Sequence, residues 1–430
     1  MLRRPFWLLL YIAILAIPFV LDHVAALDEQ NTCLPHEERP SKLAPVGYRH
    51  LSRAGYRLPR SRVVRVVMLK EHVEPRSVLT NLCEQRAFLA KLIKRLEGMD
   101  PALIVLDKYF SPNRCPEGDE GTKLLFDAIQ NRKVPIVVGL QTDILPDIEL
   151  QETGQIPRAC LILANRLEFS EGSVVTPLKF GLTRLNSDTS KIPLEWEVFD
   201  KGADVRNRMP KTLPTLSIVA AEQFDHGLGS NEALEYLLRA GKHPFTSFIP
   251  TGDIRTYSAL ALLCKDTSQG QTDWQHCDPS DDPLGDDLRG KIVVVGDWTN
   301  PGDQHPSMLG VVPGIVLQAN YIEALLDDRF FKPVPGGWIF VIYLLWLGVV
   351  CLIFAKVQTP ELAVLVCLGI ALVFLGASYA VLVEWRYFLN IWFQGGAFLL
   401  IVARWAEERA YRARERGQAS APGAATPASH

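Results

Sequence analysis

The stretch "LRGKIVVVGDWTNPGDQHPSMLGVVPGIVLQANYIEALLDDRF", Leu288–Phe330, sets the class of the fold. Lys291–Val295 (KIVVV) is short and β-branched and reads as a buried strand. A Gly-Asp pair and a loop dense in Pro, Gly, Asp and His follow, and Val316–Leu326 then reads as a helix. The same alternation recurs upstream. Arg62–Leu69 (RVVRVVML) is a β-branched strand, and Asn81–Met99 places Leu82, Phe88, Leu89, Leu92, Ile93 and Leu96 at helical spacing. Ala102–Leu106 is a short buried strand ending at Asp107, Glu120–Asn131 suits a helix, and Val134–Leu140 is another buried strand. Short apolar strands alternating with helices predict an α/β fold: a mixed, largely parallel sheet covered by helices. Asp143–Leu216 is Pro-rich and less regular, while Leu213–Phe224 and Asn231–Ala240 read as helices.

The apolar residues, 48% of the 430, concentrate at the two ends of the chain. Met1-Leu2-Arg3-Arg4 precedes the uncharged run Pro5–Leu21, which reads either as a signal peptide cut near Val24-Ala25-Ala26 or as an uncleaved anchor. Trp338–Ala355, Leu362–Val383 and Tyr387–Ala403 are also uncharged, and their short connectors predict an antiparallel α-helical membrane bundle. Arg3, Arg4, Lys356, Arg404, Arg409 and Arg412 flank these runs, so the positive-inside bias places the long middle outside and, if the first span is kept, both ends in the cytoplasm. The expected organisation is an N-terminal signal segment over 1–27, an extracytoplasmic domain over 28–334, three membrane helices over 335–405 and a short cytoplasmic tail over 406–430. A formal net charge of -3 without a basic stripe gives no nucleic-acid partner.

Six cysteines, Cys33, Cys83, Cys115, Cys160, Cys264 and Cys277, fall in the exported part, where disulfides persist. Cys264 and Cys277 flank a polar loop and are the preferred candidate pair. No close Cys-x-x-Cys spacing suggests a structural metal.

Asp107 and Asp297 both stand at predicted strand ends, the edge where open parallel sheets gather ligands. Either Asp297, Asp303 and His305 converge as metal ligands or as a ligand clamp, or Asp297 and Asp303 accept backbone N–H bonds at turns. The acidic run Asp278–Asp287 lacks EF-hand spacing, and "GLGSNE" at 227–232 has too few glycines for a dinucleotide fingerprint. No Walker loop, HExxH or Gly-x-Ser-x-Gly elbow appears, so the expectation is a protein without catalytic activity or cofactor.

Two segments resemble the CHASE2 family of extracytoplasmic sensory domains found in bacterial membrane receptors. In "CEQRAFLAKLIKRLEGMDPALIVLDKYF" an Arg at a helix start, Arg86, precedes a strand ending in Asp107-x-x-Phe110. The Leu288–Phe330 stretch is similar to the family's closing signature, carried here by Gly290, Lys291, Gly296, Asp303, His305, Pro313, Gly314, Ala319 and Asn320. The resemblance spans roughly Arg62–Trp405, three membrane helices included. It departs from the family pattern at Lys70-Glu71, at Pro306-Ser307 and at Gln318, and the chain ends without an attached kinase or cyclase domain. The resemblance implies a sensor in the bacterial inner membrane, relaying a signal to a separate membrane or cytoplasmic effector, with Arg86 joining the acidic residues as a ligand-binding candidate. A homo-oligomer is compatible with it. The alternative expectation is a structural or assembly subunit of an envelope complex.

Overall fold

The computed structural model describes residues 63–69, 78, 80–144, 161–164, 166–169, 178–186, 189–200, 209–225, 232–239, 243–246, 248–264, 274, 284–307, 309–333, 360–385 and 387–388, with a few positions between 338 and 352. Those up to Pro333 belong to one compact unit and those from 338 onward to another.

In the first unit the strands are β1 (Val64–Leu69), β2 (Leu103–Asp107), β3 (Ile136–Leu140), β4 (Thr142–Ile144), β5 (Leu161–Leu163), β6 (Leu178–Leu182) and β7 (Glu195–Phe199). They continue with β8 (Lys211–Pro214), β9 (Phe245–Thr246), β10 (Thr256–Ser258), β11 (Ile292–Asp297), β12 (Gln304–Ser307), β13 (Gly310–Pro313) and β14 (Phe330–Pro333). The helices are α1 (Leu82–Glu97), α2 (Glu120–Gln130), α3 (Leu216–Phe224), α4 (Glu232–Arg239), α5 (Ala259–Leu263), α6 (Leu284–Leu288) and α7 (Gly314–Leu326).

The main sheet has six strands in the order β10-β1-β11-β2-β3-β6, every neighbouring pair parallel. The last of these strands in sequence, β11, therefore lies between the first two. Val294 of β11 stands opposite Val66 on one side and Val105 on the other. Ile292, Val293, Val294 and Val295 are fully buried, as a parallel strand with both faces covered requires.

One face carries α1, α2 and α5. There Val67, Leu106, Val138 and Val295 join one apolar cluster with Phe88, Leu92, Ile93 and Leu125. The side chain of Asn81 caps α1 by accepting the N–H groups of Cys83 and Glu84, which satisfies donors that a helix start leaves open. Leu82, expected in the buried stripe, is 39% exposed. The stripe begins instead at Gln85 and Arg86, whose polar ends reach Val78 O, Ser111 O and Thr122 Oγ1. The other face carries α3 and α7. Helix α7 is buried on nearly every side, from Gly314 to Leu325, so its apolar composition reflects enclosure rather than one amphipathic stripe.

The Pro-rich centre is more ordered than its sequence suggests. A second sheet, β4-β5-β7-β8, forms there, and β6 joins the main sheet. Strands β4 and β5 have three residues each, too few for periodicity to register. The loop after β11 also contains an antiparallel hairpin, β12 with β13. Its Pro306 and Pro313 argue against a strand reading, and a two-stranded ribbon tolerates them because its strands are edges.

The second unit contains α8 (Pro360–Trp385), which includes the expected middle span Leu362–Val383. Among the described residues no helix is long and apolar enough to cross a membrane; α8 is described along its backbone but for only part of its side chains. Tyr387–Phe388, at the expected start of the third span, is extended. The rest of that span, the tail, residues 1–62 and Cys277 lie outside the described residues.

Helices α1 and α2 approach closely at Gly121, where an added Cβ would collide with the backbone carbonyl of Cys83. A Gly121→Ala change forces the two helices apart. It should lower domain stability by about 1–3 kcal/mol, read as a drop in the melting midpoint of the purified full-length chain.

Candidate functional site

All six main strands are parallel, so their carboxyl ends share one edge. Asp107 is the last residue of β2 and Asp297 the last of β11. These strands are neighbours, with Asp107 opposite Gly296. A Cβ at Gly296 would lie 3.0 Å from Ile315 Cδ1 and 3.2 Å from Asp107 Cβ. Glycine at 296 thus lets α7 and the Asp107 side chain press against the strand end.

The loop after β11 brings a third carboxylate to the same place. Asn300 Oδ1 accepts the Gly302 N–H at 3.0 Å and opens a single 3-10 turn, Pro301–Asp303. Asp303 then faces the start of α7 so closely that a Cβ at Gly314 would collide with its carboxylate. His305 Nε2 lies 3.1 Å from Asp303 Oδ1. Pro313 occupies the cap position before α7, where its side chain has nothing to donate or accept.

Asp107, Asp297 and Asp303 line one cavity of about 130 Å³ together with Lys108, Thr183 and Gln318. Lys108 Nζ bridges the carboxylate of Asp297 and Oε1 of Gln85. Gln318, 1% exposed, donates Nε2–H to Thr183 O at 3.1 Å, and its Oε1 has no donor. Burial, with Asp303 and Asp297 close by, pushes the Asp107 carboxyl from the ordinary 3.8 up to about 8, against the pull of the Lys108 ammonium.

The expected site residues separate into two groups. Asp107, Asp297 and Asp303 converge, with His305 holding Asp303. The turn-capping alternative does not describe them: Asn300, rather than Asp297 or Asp303, accepts the backbone N–H of that turn. Arg86 is not part of the cavity lining. It is buried and donates to Thr122 Oγ1 at 2.7 Å and to Ser111 O, tying α1 to α2 and to the segment after β2. Asn320 is structural too: its Oδ1 accepts Ile249 N–H at 2.6 Å and its Nδ2 donates to Val316 O at 2.9 Å.

The sequence offers only faint signals for Lys108 and Thr183. Lys108 follows Asp107 directly, yet its role depends on Asp297, 189 residues later. Gln318 registers in sequence as a departure from the family pattern; in space it is a cavity wall.

Cys83 and Cys115 form a disulfide, with Cα atoms 5.6 Å apart, a pairing the spacing does not single out. Closing a loop of 32 residues stabilises by roughly 3–4 kcal/mol in the chain-entropy account. Cys264 is also disulfide-bonded, to a cysteine outside the described residues. Among the described residues, Cys83, Cys115 and Asp119 are the group whose ligand atoms lie close enough together for a metal ion, but both sulfurs are already in the disulfide. The cavity carboxylates do not meet that spacing.

These elements make a parallel α/β domain closed by the β11–α7 segment, with an acidic cavity at its carboxyl edge. The sequence model of the CHASE2 domain matches residues 58–353, so the chain belongs to the CHASE2 domain family of extracytoplasmic sensory domains. No curated protein and no solved structure matches it.

The elevated Asp107 value has a pH signature. Between 3.8 and about 8 the folded state holds a proton that the unfolded chain has lost, so this group's contribution to stability falls as pH rises through that window and is constant above it. The Asp107→Asn variant removes the effect. Its melting midpoint should gain on the native protein steadily from pH 5 to pH 8; parallel curves would contradict the assignment.

Proposed function

We propose that this protein is a membrane-anchored sensory input module. Its exported CHASE2 domain reads a ligand at the β2–β11 edge, and its membrane helices relay the state to a separately encoded effector. One observation carries the reading: a polar cavity formed jointly by the ends of β2 and β11 and the start of α7. Helix α7 ends at Leu326, and β14 runs on to Pro333, just before the apolar C-terminal runs. A ligand that moves Asp303 or Gln318 pulls on the same helix.

Anchoring rests on the uncharged runs Trp338–Ala355 and Leu362–Val383 and on the run from Leu389 to Ala403. Helix α8 has 26 residues, about 39 Å at 1.5 Å per residue, against roughly 30 Å of hydrocarbon. The arginines from Arg404 onward favour a cytoplasmic tail, and the family points to the inner membrane of a bacterium with the domain outside. The Thr183 hydroxyl in the cavity wall donates to Leu140 O rather than to a side-chain base, which favours binding over catalysis. The partner in this reading is a membrane or cytoplasmic effector.

In its own host, a chain ending after Arg404 should reproduce the gene-expression profile of a strain lacking the protein, while the exported domain keeps its melting midpoint. A profile unchanged by the truncation would refute the relay and favour the assembly-subunit alternative. A reporter enzyme that needs export should be active when fused near Asp303 and inactive beyond Arg416.

A further inference from the structure

The groups lining the cavity differ in whether they are already engaged. Lys108 is occupied by Asp297 and Gln85, so that ammonium and the Asp297 carboxylate largely neutralise one another. Thr183 Oγ1 donates to Leu140 O, and its own carbonyl accepts from Gln318. Three acceptors remain. No hydrogen bond from a described residue reaches the Asp107 carboxylate, Asp303 has one oxygen beyond the His305 contact, and Gln318 Oε1 is buried without a donor.

The orientation of Gln318 follows from chemistry. Its Nε2 end faces the Thr183 carbonyl, which can only accept, so the amide nitrogen points there and the oxygen is the end left buried without a donor, on a residue of the cavity wall. A buried acceptor without a donor costs about 1–3 kcal/mol and is tolerated where a ligand supplies the missing hydrogen. Asp303 sits close enough to Asp107 to raise its proton affinity, and Lys108 is held by Asp297. A cation with several N–H donors can take the place of the proton that Asp107 otherwise holds beside these carboxylates.

We propose that the cavity at the carboxyl edge of β2 and β11 binds a small organic cation, an ammonium or guanidinium, whose N–H groups donate to Asp107, Asp303 and Gln318 Oε1. The inference rests on the sensor reading of this cavity and names its ligand class. A bare metal ion fits less well, because the cavity carboxylates are not among the groups with ligand atoms within 4.8 Å of one another. The cavity volume, about 130 Å³, equals roughly four waters of liquid, enough for a cationic head and a few carbons.

The melting midpoint of the purified full-length chain, measured with millimolar 1,4-diaminobutane, butylamine or methylguanidine, tests the proposal. At least one of these should raise the midpoint by several degrees. Butane-1,4-diol, of similar shape but neutral, and succinate, which is anionic, should not. Asp303→Asn and Gln318→Leu, each folded with a near-native midpoint when unliganded, should weaken binding by roughly tenfold to a hundredfold. Three outcomes overturn the proposal: no shift with any cation, an equal shift with the diol, or a shift with calcium or magnesium that exceeds those of the amines. In that case the sensor reading still stands or falls by the Arg404 truncation. A cation shift abolished by Asp303→Asn upholds the ligand class even where the host's expression profile ignores the compound, a result that would count against the sensor role alone.

Discussion

The insertion of β11 between β1 and β2 is the constraint on which the rest depends. It places a strand from the end of the domain in the middle of the sheet, buried on both faces and bonded along both edges. Until β11 docks, β1 and β2 lack their shared neighbour, and Asp107 lacks the groups that surround it. The Lys108–Asp297 pair joins residues 189 positions apart. Contacts of such separation form late, because loop closure is unfavourable before they reward it. Site and fold are therefore completed in one step.

Glycine makes that step sterically possible and acid makes it costly. Gly296 and Gly314 remove the side chains that would otherwise hold β11, α7 and the loop apart. The space so gained is filled with carboxylates, one of them carrying a strongly raised proton affinity. A structure under selection for stability alone would not put three aspartates at one sheet edge. Local rules broken without structural compensation mark function more often than error. Arg86 and Asn320 show the contrast. Both are polar and buried, and both bond neighbouring backbone or hydroxyl groups that tie packed elements together.

Much of the fold was legible because its strands are fully buried and its helices carry strong apolar patterns. Lys291–Val295 and Ala102–Leu106 announce themselves as strands, and α1 and α2 fall within a residue or two of their expected ends. The second sheet was not legible: two of its four strands have three residues, too few to show a period. Nor was the order of the main sheet: nothing in KIVVV says that it inserts between two strands far upstream. For the site, strand-end reasoning located Asp107 and Asp297, and the loop supplied Asp303 with His305. Arg86 came with the family pattern and belongs elsewhere. Lys108 and Gln318 were missed because their roles exist only through partners distant in sequence.

Amide hydrogen exchange on the full-length chain tests the central claim most directly. If β11 is the strand that locks the sheet, the amides of Val293, Val294 and Val295 should exchange only through global opening, at the same slow rate as those of Val66, Val67 and Val105. Fast exchange along β11 while β1 and β2 remain protected would mean that the sheet stands without it, and that the cavity does not depend on its docking.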